Sequence, residues 1–136
     1  MKFFLDTNVI IDIISRREGY KNALQIMRYC ETNRLKGFVS ATTVTDVMYI
    51  LRKHVSTPTV KESLQTLLLI VEVADVLKSD ISNAFNSEIT DFEDAVQVSC
   101  AKRIKADYIV TNNIRDFEKS SVPAILPIKA LEMLKH

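Results

Sequence analysis

The chain has 136 residues, 47% of them hydrophobic and 26% charged, the balance of a globular protein rather than a disordered one. That length suits one domain over residues 1–136, able to bury roughly two-thirds of its unfolded surface without disulfides or structural metals. Eighteen Lys and Arg against 17 Asp and Glu leave a net charge of +1, so no global positive field holds nucleic acid and any such contact must be local.

Two glycines and three prolines argue against a turn-rich all-β sandwich and for helices carrying most of the chain. Cys30 and Cys100 sit singly inside helical stripes, which reads as small apolar core residues in a reducing compartment rather than zinc ligands. The longest apolar run, Leu67 to Val71, is far short of the ~20 residues that span a bilayer. The opening Met-Lys-Phe-Phe-Leu-Asp meets an acid at position 6 and lacks a small-residue cleavage site, so no secretory signal and a cytoplasmic location are expected.

In chain order, Phe3 to Leu5 reads as a short buried strand ended by Asp6. A helix follows from Asn8 to Arg17, capped by Thr7 or Asn8, and a second carries Tyr20, Ala23, Leu24, Met27 and Cys30 on one stripe. Phe38 and Val39 form a brief second strand, and the helix from Thr43 to Lys53 aligns Val44, Val47, Met48 and Leu51. Thr57-Pro58 is a helix start, a cap followed by proline at the first helical position, and that helix buries Val60, Leu64, Leu67, Leu68 and Val71. Val73 to Leu77 is a third strand, and Ser79-Asp80 opens a short helix carrying Ile81, Ala84 and Phe85.

Thr90 or Asp91 opens a helix to about Lys105, and Tyr108 to Thr111 is the next strand, closed by Asn112-Asn113. Val122 to Ile128, with Pro123 and Pro127, is confined to an edge, and a last helix runs from Lys129 to Lys135. Helices separate nearly all the strands, which predicts right-handed crossovers and a three-layer α/β/α sandwich with a mostly parallel central sheet. Ligands in such sheets lie beyond the carboxyl ends of the strands.

Four acidic positions gather there, each with a plain alternative. Asp6 follows a strand and caps a helix; Asp46 stands three residues after Thr43, the spacing of a capping box. Asp91 and Asp94 fall in the first turn of a helix, where the dipole favours acids by roughly 0.3–1 kcal/mol. Asp116 follows an Asn-rich turn and caps a turn at Phe117. Together they are harder to dismiss, because carboxylates brought to about 4 Å repel by about 4 kcal/mol per pair at an effective dielectric near 20. Such a cluster persists only if it is protonated or holds a cation. Oxygen donors without His or Cys select hard ions, so Mg²⁺ or Mn²⁺ is the natural guest, and its natural chemistry is on phosphate esters.

These segments resemble the PIN-domain family, and within it the toxin-type ribonucleases of bacterial toxin–antitoxin pairs. Phe4-Leu-Asp-Thr-Asn-Val-Ile-Ile-Asp12 is similar to the family's first-strand signature, with Asp6 as first acid. Val39 to Leu51 is similar to the second segment, where Asp46 stands at a position usually held by Glu. Asp91-Phe-Glu-Asp-Ala-Val-Gln97 resembles the third, with Asp94 as the core acid and Asp91 as an accessory one. Tyr108 to Phe117 resembles the fourth, followed by Val122 to Pro127 as in the family's last strand. The fourth family acid often lies two residues after the strand's Thr, and Asn113 occupies that place here. Its carbonyl can ligate or orient water but carries no charge, and Asp116 is the acid that can substitute.

The resemblance implies a metal-dependent endoribonuclease with Asp6, Asp46, Asp94 and Asp116 as catalytic acids and Asp6, Asp91, Asp94 and Asp116 as Mg²⁺ or Mn²⁺ ligands. It further implies an RNA substrate, a homodimer, and an antitoxin whose tail fills the acidic groove. Thr7, Asn8, Thr111 and Asn113 are supporting candidates, and Arg16, Arg17, Lys53, Lys102 and Arg115 are candidate phosphate contacts. Trp is absent and no aromatic platform for bases is evident. Two rival readings stand: a catalytically inactive PIN-like interaction module, favoured by Asn113, and a phospho-receiver domain, opposed by the single acid after the first strand.

Overall fold

A computed structural model describes residues 1–135; His136, the last residue of the expected domain, lies outside the described residues. Strands β1 (Lys2–Leu5), β2 (Lys36–Ser40), β3 (Glu72–Ala74), β4 (Tyr108–Val110) and β5 (Ala124–Ile125) form one sheet in the order β3-β2-β1-β4-β5. Every neighbouring pair is parallel, with Phe4 opposite Phe38 on one side and Ile109 on the other. The helices are α1 (Thr7–Ser15), α2 (Tyr20–Glu31), α3 (Ala41–Leu51), α4 (Thr57–Leu67), α5 (Lys78–Phe85), α6 (Phe92–Arg103) and α7 (Pro127–Leu134). The predicted α/β/α sandwich is what forms.

Side chains alternate across a strand, and the core divides accordingly. Phe3, Leu5, Val39 and Val110 face one hydrophobic cluster, shared with Val9 and Ile10 of α1, Ile26 of α2, Val47 of α3 and Leu131 of α7. Phe4, Phe38 and Ile109 face the other, with Ala84 of α5 and Val96 and Ala101 of α6. A strand buried on both faces must be apolar throughout, which is why β1 reads as an unbroken run. Gly37 is small because the site demands it: a Cβ there would stand 2.8 Å from Cys30 Sγ and 3.1 Å from Val71 Cγ1. Both cysteines are buried and free.

Several helix starts fall earlier in the chain than their sequence cues. Asp6, not Thr7 or Asn8, is the N-cap of α1, and its side chain makes no capping hydrogen bond. Ser40 caps α3 by accepting from the Thr43 N–H, so Asp46 lies in mid-helix and the Thr43–Asp46 capping box does not form. Ser56 caps α4 the same way, one residue before the Thr57-Pro58 cue. Pro127 opens α7 rather than extending the edge strand, because proline fits a first helical turn and lacks the N–H that a ladder needs. Strand β3 stops at Ala74, short of Leu77, whose N–H bonds instead to the Asp80 carboxylate at the start of α5. Phe85 is 75% exposed, and its ring centroid stands 4.9 Å from that of Phe92.

The sheet order also decides one rival. A phospho-receiver has the order 2-1-3-4-5, with its first strand between the second and third. Here β1 is flanked by β2 and β4, and β3 lies at the edge. The receiver reading is excluded.

Candidate active site

The order of the strands reverses between β1 and β4, and in parallel sheets that switch point opens a crevice beyond the carboxyl ends. Asp6 follows β1 there, fully buried. Its Oδ2 accepts from Thr111 Oγ1 at 2.8 Å, at the end of β4, and its Oδ1 accepts from Gln97 Nε2 at 3.0 Å, on α6. Burial pushes the Asp6 carboxyl above its ordinary range, opposed by the bonds from Gln97 and Thr111 and by the backbone N–H groups of Thr7 and Asn8. A plain cap would turn its carboxylate onto the helix it starts, whereas Asp6 turns onto two other elements.

Helix α6 brings the next acids. Asp91 is its N-cap, accepting from the Asp94 N–H at 3.0 Å, so Asp91 does serve a capping role. Asp94 sits on the first turn, half-buried, and its carboxyl is raised to about 7 by burial and then by the charges of Asp6, Asp91, Asp116 and Glu93. Asp116 belongs to the exposed 3₁₀ turn Ile114–Phe117, whose N-cap is Asn113. Asn113 donates its backbone N–H to Thr111 Oγ1 at 2.9 Å, so it buttresses the residue that holds Asp6.

Asp46 comes from α3 and meets Glu93 rather than Asp6. Glu93 is raised to about 7 by burial, by a hydrogen bond to Asp46, and by the charges of Asp46 and Asp91, while a bond from Thr7 lowers it. Thr7 Oγ1 donates to Glu93 Oε1 at 3.2 Å and bonds Thr43 Oγ1 at 2.8 Å, which in turn bonds Ser40 Oγ at 3.1 Å. The acids thus form one electrostatic unit from four parts of the chain. Among the described residues, no three Asp, Glu, His or Cys side chains converge closely enough to enclose an ion.

Sequence reasoning missed three participants. Glu93 stands beside Asp94 in an acidic run, and Gln97 follows three residues later on the same helix face. Asp12 is raised by burial and by the Asp6 charge, against the charge of Arg17 and a 2.7 Å bond from Asn112 Nδ2. Its signal was position alone, at the end of the first motif. Asn8 is half-buried, and its part in the site is its N–H toward Asp6.

Of the basic candidates, Arg115 lines a cavity of about 480 Å³ with Asp91, Asp116 and Lys119. Arg17 acts on Asp12. Lys102 is in the last turn of α6, about 12 Å along the helix from Asp94 at 1.5 Å per residue, and Lys53 lies past the end of α3. Arg16, left-handed at φ 54°, ends α1 and lines a separate depression with Glu62.

The profile of the PIN domain matches residues 2–115. A comparison with curated proteins finds no match. Among solved structures, the fold is similar to VapBC2 from Rickettsia felis bound to a promoter DNA fragment, with a TM-score of 0.72, 19% identity, and 93% of this chain and 98% of that one covered. It is similar to DNA-bound VapBC from Salmonella typhimurium, with a TM-score of 0.69, 19% identity and coverage of 93% and 98%. It is also similar to the sarcin-ricin-loop-cleaving toxin VapC20 of Mycobacterium tuberculosis, with a TM-score of 0.64, 12% identity and coverage of 79% and 86%. With that profile running through every segment that supplies an acid except Asp116, one residue beyond its end, the chain belongs to the PIN-domain family.

Proposed function

We propose that this PIN-domain protein is a Mg²⁺- or Mn²⁺-dependent endoribonuclease, the cytoplasmic toxin of a toxin–antitoxin pair. The observation that carries this reading is the pairing of a buried, doubly held Asp6 with an Asp94 carboxyl raised by burial and by four neighbouring acids at the switch point of the sheet. The likeness to a toxin that cleaves an RNA loop supports RNA as substrate, and the likeness to toxin–antitoxin complexes supports an antitoxin partner. A homodimer completes the proposal. No helix among the described residues is long and apolar enough to cross a membrane.

The donor set fits a hard cation: all the acids are carboxylates, with no His or Cys among them. Mg²⁺ keeps several waters and takes one or two carboxylates plus substrate phosphate, so it does not need a closed cage of acids. Asp6 and Asp94 would hold the ion, with Asp91 and Asp116 at the rim. When bound, such an ion supplies an acidified water and positive charge to a phosphodiester.

The remaining steps belong to the chain. Gln97 and Thr111 fix the plane of the Asp6 carboxylate. Glu93, at about 7 and bonded to Asp46, holds a proton near neutral pH, with Thr7 and Thr43 orienting it. Arg115 and Lys119 line the adjoining cavity, where they can meet a neighbouring phosphate.

The test is cleavage of fluorescent single-stranded RNAs in Mg²⁺ or Mn²⁺, comparing wild type with Asp6→Asn and Asp94→Asn. Metal-dependent cleavage lost in both variants is expected. Cleavage that survives both changes would refute the site, and metal binding without any cleavage would favour the inactive interaction module, the reading Asn113 supports.

A further inference from the structure

Gln97 is fully buried on α6, among Ala95, Val96, Val98, Cys100 and Ala101, in a stretch otherwise committed to packing against the sheet. One turn from Asp94, it lies on the same face but deeper. Its Nε2 donates to Asp6 Oδ1, while its Oε1 is buried with no hydrogen-bond partner. A buried carbonyl oxygen left unpaired costs stability, and an apolar side chain of the same volume would avoid that cost. Packing therefore does not explain a carboxamide here. Asp6 does.

The carboxylate of Asp6 takes one side-chain donor on each oxygen, from α6 on one side and from the end of β4 on the other, so it cannot rotate without losing a bond. Both donors are neutral. A Lys or Arg in either place would orient the carboxylate equally well but would repel a cation, whereas a carboxamide and a hydroxyl leave its charge uncompensated.

We infer that Gln97 is a positioning residue that, opposite Thr111, presents Asp6 as an oriented, unneutralised carboxylate for a divalent cation. The inference rests on the proposed metal-dependent reading and names a residue of that site outside the acidic set. It separates from a structural role because ion affinity should fall far more than metal-free stability.

The experiment is Mn²⁺ titration by calorimetry at pH 7.5, with urea denaturation in EDTA, on wild type, Gln97→Met and Gln97→Glu. Gln97→Met removes the unpaired Oε1 but also the donor to buried Asp6, so its metal-free stability should stay close to that of wild type, while it should bind Mn²⁺ about 10- to 100-fold more weakly. Gln97→Glu keeps the shape should the Met variant fail to fold. It places a second acid against Asp6 and should also lose at least about tenfold in affinity. Mn²⁺ affinity within twofold of wild type in the folded variants overturns the inference, while an Asp94→Asn control that has lost binding shows the metal reading intact. A wild type that takes up no Mn²⁺ overturns both.

Discussion

Replacing Asp94 by Asn should stabilise the metal-free protein at alkaline pH. The Asp94 carboxyl stands at about 7 in the folded chain against a usual 3.8, so the folded state binds its proton more tightly than the unfolded state does. Below about pH 4 both states are protonated and nothing is lost. Between about pH 4 and 7 the unfolded chain sheds the proton while the folded state must keep it, so the penalty grows, and above about 7, where both are ionised, it is complete.

At about 1.36 kcal/mol per pH unit the ceiling is about 4 kcal/mol, but the side chain is half-exposed and solvent screening cuts this to about 1–2. The lost attraction to the α6 N-terminus returns roughly 0.3–1 kcal/mol. The expected gain is therefore about 1 kcal/mol at pH 8, shrinking to near zero at pH 4.5. Urea denaturation in EDTA at the two pH values measures it. A variant less stable than wild type at pH 8, or a difference that does not change with pH, would refute the electrostatic coupling of the acids.

Millimolar Mn²⁺ should reverse the order at pH 8: at 100 times Kd an ion stabilises the wild type by about 2.7 kcal/mol, and Asp94→Asn should show little of this in the same denaturation curves. Gly37→Ala should cost about 1–3 kcal/mol, because its Cβ would collide with Cys30 and Val71; a midpoint unchanged in urea would contradict that packing. Arg103→Met should cost about 2 kcal/mol at pH 7, leaving the buried Asp80 without its 3.0 Å guanidinium partner. Burial alone would raise Asp80, but Arg103, the Leu77 N–H and Ser99 together hold it below the ordinary range. The cost should accordingly narrow as pH falls below about 4, which acid-urea titration of both proteins would show.

Much of the fold was legible because its cues are local. The apolar run of β1, the stripe of α2 and the proline near the start of α4 each announce an element within a few residues. The errors arose where two residue types could serve the same purpose: Ser40 and Ser56 cap their helices, although Thr43 and Thr57 looked equally suited. The site was legible in its acids and not in its partners. That Asp6 bonds Gln97 and Thr111, 91 and 105 residues away, depends on strand order, which no local spacing encodes. Glu93 was hidden by its neighbour, since an acid in a first helical turn has a sufficient reason to be there. Asp46 was found, but its contact with Glu93 follows from the mid-helix position that the earlier start of α3 gives it.

The central place of β1 bears on when the site comes into being during synthesis. Asp6 is made before either of its two anchors, which stand at positions 97 and 111, and the β4 strand that aligns the second begins at Tyr108. At roughly 5–20 residues per second, a ribosome needs on the order of 5–20 seconds between Asp6 and Thr111. Throughout that interval the growing chain carries the first acid without the groups that hold it. Assembly of the site therefore waits for the last of its anchors, and the delay is written into the order of the strands.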